Sequence, residues 1–185
     1  MIDDLLQDAR EHMDKSVEAT RTKFQSVRAG RASPALLDRI SVDYYGAITP
    51  LRQLATISAP EARLITIQPY DKSSVKAIER AIMESDLGLT PNNDGSIIRL
   101  QIPELTEERR KQLVKVVRGL SEEGKVALRS IRRDVMHDLK ELKDAGETGA
   151  DDEHRAEGEL QKLTDEKIAE LDALMHNKEA EILEV

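Results

Sequence analysis

The chain contains no cysteine and no tryptophan, and only one phenylalanine and three tyrosines. Without cysteine there are no disulfides and no thiolate metal sites, and a reducing cytoplasm is the natural home for such a sequence. So few rings do not suit a module that recognises nucleic acid by stacking bases on exposed aromatics. No apolar run approaches the roughly 20 residues of a membrane span, so no membrane partner is expected. The start, MIDDLLQDAREHM, is acidic and amphipathic, without the basic opening of a signal peptide or the arginine-rich character of a transit peptide.

Enzyme signatures are also missing. Neither GxxxxGK nor GxGxxG occurs, and no serine or threonine sits in a nucleophile context. The four histidines (His12, His137, His154, His176) are scattered. His154 and Glu157 lie one turn apart amid surface charge, and Asp151, Asp152 and Glu153 read as acids at a helix start rather than as a cation site. The expectation is a non-enzymatic protein with no metal and no cofactor.

Proline is absent from most of the chain. All six prolines fall between Pro34 and Pro103, and so do all three tyrosines. Proline is excluded from helix interiors because it lacks an N–H and clashes with the preceding turn. The sequence therefore reads as helix, a proline-rich insertion, and helix again. In the first segment Ile2, Leu6, Ala9, Met13, Val17, Thr20, Phe24 and Val27 recur at helical spacing, with Gly30 as the stop. The same spacing links Leu113, Val117, Leu120, Gly124, Leu128, Ile131, Val135, Leu139 and Leu142. It recurs in Ala156, Leu160, Leu163, Ile168, Leu171, Leu174 and Ile182, with Gly146 and Gly149 at the break between the two. Thr106 is placed to cap a helix from about 106 to 145, roughly 60 Å long. Hydrophobic residues make up 39% of the chain and charged residues 35%, which fits a narrow bundle burying one stripe per helix.

The middle alternates with the period of strands in RISVDYY, LATISA, RLITIQ and SIIRLQI, with Asp94-Gly95 as a turn. One helix lies between them in KSSVKAIERAIMESDLG, with Gly88 as a plausible cap. The fold class is thus α+β. An elongated three-helix bundle (1–30 plus 105–185) carries an inserted small β/α/β domain (31–104). The two connections, at 29–32 and 103–106, allow a hinge formed by Gly30, Arg31, Pro103, Glu104 and Leu105.

The charge is uneven. The net is −8, but residues 105–146 hold eleven basic and eight acidic side chains, a net of +3, whereas 147–185 hold four and thirteen, a net of −9. Within EEGKVALRSIRRD, Lys125, Arg129, Arg132 and Arg133 share one flank of a helix. Two readings stand. The flank can pair internally with Glu122, Glu123, Asp134 or the acidic last helix, or it can grip RNA phosphate, for which arginine's planar fork is suited. Arg28 and Arg31 can brace the joint with Glu104, Glu107 or Glu108, or offer it to RNA, and Arg28 is counted with the RNA-binding flank. Arg109 and Arg110, in TEERRK, are possible joint or partner contacts.

Taken in order, VRAGRASP, VDYYG, TPLRQLA, SDLGLTPNNDGSIIR, LTEERRK and VRGLSEEGKVALRSIRRD closely resemble the bacterial ribosome recycling factor family. The last helix matches more loosely, through QKLTDE and KEAEIL, and Ala29 stands where the family usually reads threonine. The resemblance implies a roughly L-shaped monomer that binds the 70S ribosome after termination. With elongation factor G and GTP it separates the subunits, releasing mRNA and tRNA, and it does no chemistry itself. It also implies that the bundle lies on large-subunit ribosomal RNA with Arg132 as a principal contact, Arg129 and Arg133 beside it. The inserted domain and hinge would face elongation factor G and the small subunit. A coiled-coil chaperone or scaffold is the competing reading.

Overall fold

A computed structural model describes residues 1–184. The chain forms two compact units, one from Met1–Ala29 with the chain from Thr106 onward, the other Gly30–Leu105.

The first unit is three long helices: α1 (Ile2–Ser26), α4 (Glu107–Asp144) and α5 (Ala150–Leu183). Each buries the apolar stripe that its spacing marks. Ala9, Met13 and Val17 of α1 meet Leu128, Val135 and Leu139 of α4 and Ala156, Leu160, Leu163 and Leu171 of α5. Truncating any of these large side chains removes contacts that a close-packed interior does not replace. Thr106 caps α4 as its sequence suggests, its Oγ1 accepting from the Arg109 N–H at 3.1 Å. At the far end Gly146 is left-handed (φ +72°), and the N–H groups of Gly146 and Glu147 return to the carbonyls of Lys143 and Leu142. That is the closure a C-terminal glycine permits.

Two details of the bundle differ from the sequence expectation. Gly30 does not end α1. The helix stops at Ser26, whose hydroxyl donates to the Lys23 carbonyl at 2.6 Å while the Val27 N–H turns back to the Phe24 carbonyl, so both are satisfied before the glycine. On α4, Ser121 is buried and Leu120 only half-buried. The helices approach closely at Gly124, one turn from Ser121. A Cβ on Gly124 would lie 2.7 Å from Thr20 Oγ1 and 2.9 Å from Leu171 Cδ1.

The inserted unit holds β1 (Ser41–Tyr44), β2 (Ala47–Pro50), the single turn α2 (Leu51–Leu54), β3 (Ala55–Glu61), β4 (Leu64–Pro69), α3 (Val75–Glu84), β5 (Pro91–Asn93) and β6 (Ile98–Gln101). β1 and β2 form a hairpin, and the other four strands form an antiparallel sheet in the order β3-β4-β6-β5. Ile65 and Ile67 of β4 stand opposite Leu100 and Ile98 of β6, all fully buried, and pack with Val75, Ile78 and Ile82 of α3. Pro60 and Pro91 lie on the edge strands β3 and β5, where a missing N–H costs no ladder bond. β2 and β5 fall outside the alternating stretches of the sequence, β2 ending and β5 beginning on a proline. Gly88 does not cap α3, which ends at Glu84 with Ser85 already extended and its hydroxyl on the Ile82 carbonyl. Gly88 instead takes a left-handed turn (φ +66°) in the following loop.

The incoming and outgoing segments are pinned to one turn of this unit. Ala32 N–H donates to Ala62 O (2.7 Å), Ile102 N–H to Arg63 O (2.8 Å), and Arg63 pairs with Glu104 (3.3 Å). Gly30 is left-handed (φ +71°), and a Cβ there would meet Leu105 Cγ at 2.7 Å. Gly30→Ala is therefore expected to destabilise the inserted unit by about 1–3 kcal/mol, through left-handed strain and the clash. All three tyrosines lie in this unit, so urea unfolding followed by tyrosine fluorescence measures the loss without interference from the bundle.

The β5–β6 turn carries an acid-sensitive group. Asp94 accepts from the N–H groups of Ile97 and Ser96 and from Arg99, which holds its carboxyl down at about 2. A depressed carboxyl stabilises the fold above its unfolded value near 4 and loses that contribution as pH falls through the folded one. The inserted unit of the wild type is expected to lose stability between about pH 4 and pH 2, and Asp94→Asn to flatten that part of the profile in the same tyrosine assay.

Candidate nucleic-acid interface

α4 presents its basic flank because its apolar residues are turned toward α1 and α5. At 100° per residue, Arg132 lies within about 20° of Lys125, with Arg129 about 40° and Arg133 about 80° further round, away from Leu128 and Val135. All four predicted residues therefore occupy one side of the same helix.

Their surroundings divide them. Lys125 is mostly covered and pairs with Asp172 of α5 at 2.6 Å. Arg118 with Glu179 (2.6 Å) and Lys143 with Glu153 (2.7 Å) make equivalent ties between the same two helices. Glu153 is itself buried, and its hydrogen bond raises the Lys143 ammonium above the ordinary lysine value. Arg129 pairs with Glu122 on its own helix at 3.2 Å. Arg132 is different: its Nη1 donates to the neutral amide oxygen of Gln161 on α5 at 2.9 Å. Arg133 is exposed and makes no hydrogen bond or ion pair among the described residues. Val126, 56% exposed, lies on the same flank.

Of the remaining residues, Arg28 is exposed in the segment after α1, and Arg109 is exposed in the first turn of α4 with Nη1 on Gln112 Oε1 (3.1 Å). Arg110 is half-buried, and its Nε has no hydrogen-bond partner among the described residues. Arg109 stands about 35 Å along α4 from Arg132, so the helix carries two separate basic places. Arg31 is exposed within the inserted unit. Glu104 is engaged by Arg63, and Glu107 by Lys111 at 3.2 Å.

The chain matches a family model described as ribosome recycling factor over residues 20–183. It belongs to the ribosome recycling factor family. It is 56% identical to the ribosome-recycling factor of Rubrobacter xylanophilus over 97% of each chain, and 54% identical to that of Listeria monocytogenes over the full length of both. A solution structure of the ribosome recycling factor matches with a TM-score of 0.80 at 42% identity, covering 100% of this chain and 98% of that one. A second match, TM-score 0.65 at 48% identity over 99% of both chains, is to models for the T. thermophilus ribosome recycling factor and E. coli elongation factor G bound to the E. coli post-termination complex.

Sequence reasoning did not single out two features of this family member. Gln161 is one, because its part depends on a neighbouring helix. The other is the β1–β2 hairpin, where Tyr45 adopts φ +50° and is 80% exposed, with its hydroxyl 2.9 Å from Ser73 Oγ. Beside it Tyr44 donates to Asp71 at 3.0 Å, and Ile48 is exposed. The VDYYG string marked the place but not its conformation.

The four basic residues are expected to separate in a stability measurement. Lys125→Ala removes a half-covered tie between helices and should lower bundle stability by about 0.5–1 kcal/mol in circular-dichroism melts. Arg133→Ala removes no hydrogen bond or ion pair among the described residues and should leave the melt unchanged.

Proposed function

We propose that this chain binds the 70S ribosome after termination through large-subunit ribosomal RNA near the subunit interface. Together with elongation factor G, which hydrolyses GTP, it separates the subunits and so frees mRNA and tRNA. The chain makes and breaks no bonds itself, and its place of work is the cytoplasm, where ribosomes translate. The observation that carries this reading is the flank of α4: in a member of this family, Arg132 and Arg133 present guanidinium charge that pairs with no carboxylate among the described residues. Arginines so placed hold phosphate by charge and shape, without base recognition. Arg132 leads, Arg133 and Arg129 flank it, and Lys125 supports the flank through its tie to α5. Arg28 is a further RNA contact. Arg109 and Arg110 serve a second place, toward a partner or the joint.

The same reading takes the two connections as a hinge at 29–32 and 103–106, with Gly30, Arg31, Pro103, Glu104 and Leu105 as its parts. The ties of Ala32, Ile102 and Glu104 to the Ala62–Arg63 turn leave the bending to Ala29–Gly30 and Leu105–Thr106. The bundle holds RNA while elongation factor G acts on the inserted domain. Two short connections transmit that push and still permit rotation.

Arg132→Ala is expected to weaken 70S binding by about tenfold with the bundle still folded, and to slow subunit separation in sucrose gradients with elongation factor G and GTP. Wild-type binding by that variant across a salt series would remove the RNA-contact assignment. For the hinge, residual dipolar couplings should require more than one orientation of the two units, and a fit to a single orientation in both free and bound states would contradict it.

A further inference from the structure

Gln161 occupies a particular chemical position. Its amide oxygen accepts from Arg132 Nη1 at 2.9 Å, and its amide nitrogen donates to Asp165 Oδ1, one turn further along α5, also at 2.9 Å. The two partners fix the amide's orientation, since only the oxygen accepts and only the nitrogen donates. The neighbouring rungs of the same helix pair are built differently. Lys125 meets Asp172, Arg118 meets Glu179 and Lys143 meets Glu153, each a cation against a carboxylate. Among the described residues, Arg132 is the one α4 cation whose acceptor on α5 is neutral, and the carboxylate of Asp165 stands one amide removed.

We propose that Gln161 is a positioning residue for RNA binding: it orients the Arg132 guanidinium from α5 while leaving its charge uncancelled for a phosphate. This rests on the reading of Arg132 as a phosphate contact and adds a second helix to the site. A hydrogen bond to an amide leaves the remaining N–H donors of the fork and the full positive charge facing outward. A carboxylate at the same distance would satisfy the fork and compete directly with phosphate. The acidic α5 thus contributes to the basic flank by withholding a charge at one position. Gln161 is exposed, so its substitution does not disturb the core.

The test is a set of binding isotherms to purified vacant 70S ribosomes across a salt series. It compares wild type, Gln161→Glu, Gln161→Leu, Arg132→Ala and the double variant Arg132→Ala/Gln161→Glu, each checked by a melt. Gln161→Glu is expected to weaken binding about 5- to 10-fold and to lower the salt slope by about one, as if one cation were lost. Gln161→Leu keeps the charge and loses only the orientation, so affinity falls about 2- to 3-fold at an unchanged slope. In the Arg132→Ala background Gln161→Glu should change little, because its effect runs through that arginine. An equal loss in both backgrounds would mean that the new carboxylate simply repels RNA, and would overturn the proposal. So would wild-type binding by Gln161→Glu. If Arg132→Ala itself binds like wild type, the RNA-contact reading fails first, and the role of Gln161 with it.

Discussion

The packing of α4 against α5 is the constraint on which the rest of the bundle depends. Leu128, Val135 and Leu139 are sealed against Leu160, Leu163 and Leu171, which fixes the rotation of α4 about its own axis. Once that rotation is set, Arg129 and Arg133 face outward and Arg132 lies half-buried at the edge of the apolar stripe. The ion pairs at Arg118, Lys125 and Lys143 then hold the register of two antiparallel helices each more than thirty residues long. A one-residue rotation would carry the arginines about 100° toward the core. The apolar stripe therefore aims the charge as well as stabilising the fold.

The inserted unit follows a parallel logic on a smaller scale. Its core of Ile65, Ile67, Ile98 and Leu100 makes the sheet rigid, and the turn at Ala62–Arg63 extends that rigidity to both crossing segments. Tyr45, held in a left-handed conformation by the hairpin and braced on Ser73, projects an aromatic ring that such a unit can present firmly.

Much of this was legible in the residues. Confinement of the six prolines marked the insertion, the stripes of the three helices marked the bundle, and Thr106 and Gly146 marked both ends of α4. What escaped was set by neighbours distant in sequence. Ser121, not Leu120, is buried, one turn from Gly124 where α4 lies close against Thr20 and Leu171. The end of α1 at Ser26 reflects a hydroxyl capping its own helix, a weaker signal than the glycine four residues on. The basic flank was visible as a pattern of spacing. Its division into the tied Lys125, the Arg129 paired along its own helix, and the outward Arg132 and Arg133 was not, because that requires knowing which acid of α5 lies opposite each one.

The absence of cysteine allows a direct test of which face meets RNA. A single cysteine introduced at Val126, exposed on the basic flank of α4, or at Glu166, exposed on α5, can carry a tethered iron chelate that generates hydroxyl radicals. With each derivative bound to 70S ribosomes, the account predicts strand cuts in large-subunit ribosomal RNA from position 126 and few or none from position 166. Strong cutting from 166 with none from 126 would contradict it, and would turn the bundle around on the ribosome.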